Sequence, residues 1–243
     1  MRILITNDDG YDAPGLVALY KAASQLGDVF VAPPAECHSS KGHAVCTKSI
    51  MRVTEHDVPE IGKVHAIHSS PADCVRIALE LMPEPPDLVL AGINPGANLG
   101  VDVYYSGTVA AAREAAILGF RAVAVSTYMR ADIELSWPDK TQLTVECLPK
   151  LLDVSTSPGQ FWNLNFPAVQ PGGKTGPLKF TRQSTEPQGV AYEPCPDTPN
   201  GFQFTGNYQQ RPAAQDADVQ AVFGGAISAT LLQLDTSAEV QTT

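Results

Sequence analysis

The sequence predicts an α/β protein, a doubly wound, mostly parallel (Rossmann-like) sheet with a β-rich C-terminal extension. Three observations predict it. The first 34 residues read as strand, helix, strand; the same alternation returns between residues 72 and 166; and from Pro167 the texture changes to Pro, Gly, Gln and Thr with short β-prone pieces. At 243 residues, with 44% hydrophobic and 17% charged side chains, the chain can bury a substantial core.

Arg2 to Thr6 is a short apolar, β-branched run that stops at Asn7-Asp8-Asp9-Gly10, a strand followed by a loop. Pro14 opens a segment with Leu16, Leu19, Tyr20 and Ala23 at helical spacing. Val29 to Ala32 is a second strand, ended by Pro33-Pro34, and the crossover between the two is expected to be right-handed. Residues 47 to 69 alternate weakly and predict a hairpin on the sheet's flank. A helix at 72 to 81, a buried strand at Leu88 to Leu90, a helix at 108 to 118 and a strand at Ala122 to Val125 repeat the unit. A helix at 139 to 153 then leads to the strand Trp162 to Phe166.

This divides the chain into a core, 1 to 166, and an extension, 167 to 243. The extension holds β-prone pieces at Lys179 to Thr181 and Phe202 to Phe204 but no amphipathic helix. It has too little core-forming sequence to fold alone, so it is predicted to pack on the core or to be exchanged between subunits.

Sixteen basic against 26 acidic residues leave a net charge of -10, which disfavours long nucleic acid as a partner. A small anion remains accessible wherever a cation or a helix N-terminus reverses the local potential. The five cysteines (Cys37, Cys46, Cys74, Cys147, Cys195) contain no Cys-x-x-Cys pair and form neither a disulfide framework nor a zinc ribbon. That usage fits a reducing cytoplasm. The opening apolar run is too short for a signal peptide, and no later run reaches the ~18 residues of a membrane span.

The chemistry gathers at predicted strand ends, where open α/β sheets bind their ligands. Asp8 and Asp9 can converge on one site only if the backbone leaves the strand, which Gly10 permits. Two hard oxygen ligands suit Mg²⁺ or Mn²⁺; the bland alternative is a helix cap beside a solvated neighbour. After the strand at Leu88, residues 91 to 100 hold three glycines and two asparagines, Asn94 and Asn98. They could bring backbone N–H groups to an anion and an amide oxygen to a cation, or simply form a turn. Ser106-Gly107-Thr108 opens a helix, either as a phosphate site or as a plain cap. The loop Pro33 to His43 offers Ser39, Ser40, Lys41 and His43. Of these His43 reads more readily as a surface or hydrogen-bonded histidine than as a catalyst, and His38, His56, His65 and His68 lack metal-ligand spacing.

The segment Ile5 to Leu16, with Ser39 to His43, Ser70 to Val75, Gly92 to Gly100 and Tyr105 to Ala112, resembles the SurE family of stationary-phase survival proteins, 5'/3'-nucleotidases. The resemblance implies one divalent metal ion per subunit, Mg²⁺ or Mn²⁺, on Asp8, Asp9, Ser39 (or Ser40) and Asn94. It places phosphate near Asn98, Ser106, Gly107 and Thr108, and implies a cytoplasmic homodimer or homotetramer with an exchanged C-terminal arm. The activity implied is hydrolysis of nucleoside 5'-monophosphates, or of 3'-monophosphates, by metal-activated water, with Asp8 and Asp9 catalytic. An aspartyl-phosphate phosphatase needs an Asp-x-Asp pair, which adjacent Asp8 and Asp9 do not supply. A non-catalytic, metal-dependent nucleotide-binding regulator is the competing reading from another class.

Overall fold

A computed structural model describes residues 1–238; positions 239–243 of the predicted extension lie outside the described residues. Strand β1 (Arg2–Thr6), helix α1 (Pro14–Ala23) and strand β2 (Asp28–Val31) form the first crossover, and β3 (Val53–Val58) pairs with β4 (Gly62–Ile67) in a separate antiparallel hairpin. Then come α2 (Pro71–Leu81), β5 (Leu88–Pro95), α3 (Gly107–Ile117), β6 (Ala122–Thr127), α4 (Trp137–Leu152) and β7 (Gln160–Phe166). The remainder carries β8 (Leu178–Thr181), β9 (Tyr192–Pro194), β10 (Phe202–Phe204), α5 (Asp218–Phe223) and β11 (Ile227–Gln233).

The main sheet has seven strands in the order β2-β1-β5-β6-β7-β11-β8. The first five run parallel; β11 is antiparallel to β7, and β8 is parallel to β11. Alternation along each strand divides the core into two layers. Ile3, Ile5, Leu88, Leu90, Val123 and Val125 pack with Leu16 and Leu19 of α1 and Leu148 and Leu151 of α4. Leu4, Val89, Ala91 and Ala124 pack on the other side with Val75 and Ala78 of α2 and Val109, Ala112 and Ala116 of α3. Each fully buried Leu or Ile contributes about 1.5–3 kcal/mol. The helices start where the sequence marks them: Ser70, Ser106 and Ser136 each accept a backbone N–H of the first turn, and Pro71 and Pro138 occupy the first-turn positions.

Two features depart from the sequence reading. Residues beyond 166 do not merely lean on the sheet, because β11 and β8 extend it by two strands. The extension also contains a helix, α5, whose six residues are too short for a 3.6-residue period to register. The one hairpin of the extension outside the sheet, β9 with β10, carries exposed Tyr192, Phe202 and Phe204. No helix among the described residues is long and apolar enough to cross a membrane.

From β1 the chain first adds β2 on one side and later β5 on the other. The direction of winding therefore reverses between β1 and β5, and their carboxyl ends frame a crevice suited to a ligand.

Candidate active site

Asp8 and Asp9 lie in that crevice. Asn7, fully buried, ties off the turn by donating through Nδ2 to the Gly10 carbonyl at 2.8 Å, and Gly10 takes a φ of +112° that an L side chain would oppose. Asp8 is 3% exposed, and Thr108 donates from Oγ1 to its Oδ1 at 2.5 Å. The end of α3 can come this close only because residue 107 is glycine: a Cβ there would lie 2.7 Å from the Asp8 Cβ and 2.8 Å from Oδ2.

Burial pushes the Asp8 carboxyl above its usual range, with the Thr108 hydroxyl opposing. Burial, and then the charge of Asp8, pushes Asp9 up to about 7. Both shifts say that negative charge here lacks a counterion. Asp9 Oδ2 and Asn7 Oδ1 are buried without a hydrogen-bond partner, an arrangement that costs about 1–3 kcal/mol per group, and more for a charged one.

Asn94 reaches the same crevice through a bulge. Ala91 aligns with Ala124 but Asn94 aligns with Ser126, so Gly92 and Ile93 of β5 together face one residue of β6. A one-residue insertion turns the following side chains to the opposite face. Asn94 then donates through Nδ2 to the Gly96 carbonyl at 2.6 Å, which leaves the amide oxygen as the end that can meet a cation.

The loop after β2 is laid against both elements. The His38 N–H donates to the Asp8 carbonyl at 2.7 Å, and the Gly42 N–H donates to the Tyr105 carbonyl at 3.0 Å. Ser39 and Ser40 sit between these fastenings and are exposed; Ser39 Oγ is 3.1 Å from Cys37 Sγ, and Ser40 has a φ of 60°.

Of the positions predicted to meet phosphate, Gly107 and Thr108 lie against Asp8, while several groups of the set are already engaged. Ser106 Oγ accepts the Val109 N–H at 3.0 Å as the cap of α3, and the Thr108 hydroxyl is spent on Asp8. Their backbone, in the first turn of an 11-residue helix, keeps the positive end available to an anion. Asn98 is buried and wired to the sheet: its Nδ2 donates to Ser126 Oγ at 2.7 Å, its N–H to Asn165 Oδ1 at 2.9 Å, and its carbonyl accepts from Asn163 Nδ2 at 2.8 Å.

The arrangement fits a hard divalent cation. Among the described residues no three of His, Cys, Asp and Glu gather into a metal cluster, so the available donors are two carboxylates with neutral amide and hydroxyl oxygens. Such a set favours Mg²⁺ or Mn²⁺ over zinc, and the partnerless Asp9 Oδ2 supplies an atom for it.

Asp73, Asp102, Glu114 and Asp218 are buried acids to which the sequence reading gave no role. Glu114, 1% exposed, meets Arg76 and His43. Asp102 accepts from Arg211 NH1 at 2.6 Å, the Tyr208 hydroxyl at 2.7 Å and Gln188 Nε2 at 3.0 Å. Arg211 also donates to the Leu99 carbonyl, and the Gly100 N–H donates to Asp218 Oδ2, so residues 183–218 clasp the loop that holds Asn98. Glu114 left one signal, a lone acid on a helix otherwise rich in buried alanine. Asp102 left none, since apart from the Leu99 N–H its partners Gln188, Tyr208 and Arg211 all lie more than eighty residues away.

The chain has relatives among known proteins. A relative from Nostoc sp. is 40% identical over 234 residues, 96% of this chain and 100% of its own. The 5'-nucleotidase SurE of Heliobacterium modesticaldum is 35% identical over 97% of this chain and 87% of its own. The crystal structure of SurE protein from Aquifex aeolicus superposes with a TM-score of 0.82 at 30% identity, covering 98% of this chain and 95% of that one. The family model described as Survival protein SurE matches residues 3–189, and with relatives of this similarity along its whole length the chain belongs to the SurE family.

Proposed function

We propose that the chain is a 5'-nucleotidase, a metal-dependent phosphomonoesterase that hydrolyses nucleoside 5'-monophosphates to nucleoside and phosphate. The nucleotidase activity is supported by relatives named 5'-nucleotidase SurE that match almost the whole chain at 35% and 36% identity. The metal dependence rests on one observation, the buried and partnerless Asp9 Oδ2 beside buried Asp8 at the point where the sheet reverses its winding.

Asp8 and Asp9 would hold the ion, with Asn94 Oδ1 and a hydroxyl from Ser39 or Ser40 as neutral donors. When bound, a divalent ion supplies Lewis acidity: it lowers the pKa of water and neutralises phosphate charge. Thr108 keeps Asp8 in one orientation, which suits it to binding. Asp9, with Oδ2 given to the ion, has Oδ1 left to accept the proton of the attacking water. The first turn of α3, from Gly107, faces the carboxylates and can stabilise charge on the transferring phosphoryl oxygens. Copies of the chain are proposed to associate through the exposed aromatic hairpin β9–β10.

Asp8→Asn and Asp9→Asn are each expected to abolish phosphate release from nucleoside 5'-monophosphates with the circular dichroism spectrum unchanged. EDTA should silence the wild type, and Mn²⁺ or Mg²⁺ should restore it. Full activity in both variants ends the proposal.

A further inference from the structure

Glu114 lies on α3, about two turns beyond the end that meets Asp8, and is almost wholly buried. Arg76 of α2 donates through Nε to Oε1 at 2.5 Å, and the His43 ring nitrogen Nε2 is 2.7 Å from Oε2. An ionised carboxylate only accepts, so Nε2 carries the hydrogen. The other ring nitrogen, Nδ1, is 3.5 Å from Arg113 NH1, and Arg113 is itself held by donating through NH2 to the Val103 carbonyl at 2.7 Å. The imidazole is thus gripped from both sides by residues of α3.

His43 ends the segment that begins at His38 and carries Ser39 and Ser40 past Asp8. Two backbone bonds fasten that segment, His38 N–H to Asp8 and Gly42 N–H to Tyr105. The hydroxyl-bearing residues between them are exposed, so nothing in the core packs them into place. The shorter of the two side-chain contacts of His43, that with Glu114, ties the loop to the same helix whose first turn holds Asp8.

We propose that Glu114 is a positioning residue for the metal site: through His43 it holds the 38–43 loop over Asp8 and Asp9, so that a hydroxyl of Ser39 or Ser40 can complete the donor set. The proposal rests on the metal-site reading above. Groups that orient a ligand from behind are typically worth 10- to 100-fold in metal affinity. Arg76 has the separate task of neutralising Glu114 within the α2–α3 interface.

The test is Mn²⁺ titration by calorimetry together with amide hydrogen exchange across residues 38–43, in wild type, Glu114→Ala, His43→Ala and His43→Gln. Glu114→Ala and His43→Ala should each weaken Mn²⁺ binding at least tenfold and speed exchange in the loop. His43→Gln, whose amide nitrogen reaches where Nε2 stood, should restore both. His43 is partly exposed, so its variants fold even where loss of buried Glu114 proves too disruptive. Unchanged affinity and exchange in His43→Ala, or equal impairment in His43→Gln, overturns the proposal while the metal site stands. A wild-type chain that takes up no Mn²⁺ overturns both.

Discussion

As the proposed metal ligand, Asp9 meets two demands: it must be ionised to bind, yet its surroundings hold the acid form in place. A carboxyl pushed up to about 7 is largely protonated at pH 6, so a cation must displace that proton before it can bind. In the metal-free protein the folded state retains protons that the unfolded chain has released between about pH 4 and 7. The unfolded state therefore binds fewer, and stability falls as pH rises through that window. Asp8, shifted in the same direction, adds to the effect. Calorimetric titration with Mn²⁺ at pH 6 in two buffers of different ionisation enthalpy should show release of about one proton, absent at pH 9 and absent in Asp9→Asn. A buffer-independent enthalpy at pH 6 would contradict the assignment.

Among the elements, the meeting of α3 with β1 decides whether the site exists. Gly107→Ala should leave α3 intact, since alanine is the better helix former, yet its methyl must intrude on Asp8. Expected are a stability loss of about 1–3 kcal/mol in urea denaturation and a disproportionate fall in activity, at least tenfold. Retained activity would mean that Asp8 can move without consequence. The elements themselves were largely legible in sequence, because their signals are local. Pro14 and Ser106 mark helix starts, and the unbroken apolar run of Ile3, Leu4 and Ile5 marks a strand buried on both faces. The bulge at Gly92-Ile93 was not, because it exists only relative to β6, and a strand alone does not reveal its partner's register. Nor was the joining of β11 to β7, which unites segments more than sixty residues apart in an antiparallel pair.

For the whole molecule, the site residues sort by the range of their partners. Asp8, Asp9 and Asn94 stand out in the sequence because strand ends are recognisable locally; the network of Glu114 and the clasp around Asp102 depend on contacts formed only after folding. The exposed face of β9–β10 poses the remaining question at this scale. Tyr192, Phe202 and Phe204 are 59%, 69% and 55% exposed, an apolar group that a solitary copy would leave in water. Light scattering should report a dimer or tetramer, and Phe202→Asp with Phe204→Asp should shift the mass toward the monomer. A wild-type monomer at micromolar concentration would contradict association through this hairpin.

The clasp around Asp102 also orders events during synthesis. Both carboxylates leave the ribosome in the first ten residues, and the loop holding Asn98 follows within the first hundred. Its clamps, Arg211 and Asp218, emerge more than a hundred residues later. At a synthesis rate of roughly 5–20 residues per second, the Asn98 loop waits on the order of 5–25 seconds for its support. The nascent chain therefore carries both carboxylates before the clasp around Asp102 can close, and on the proposed function, activity would wait for nearly the last of the fold.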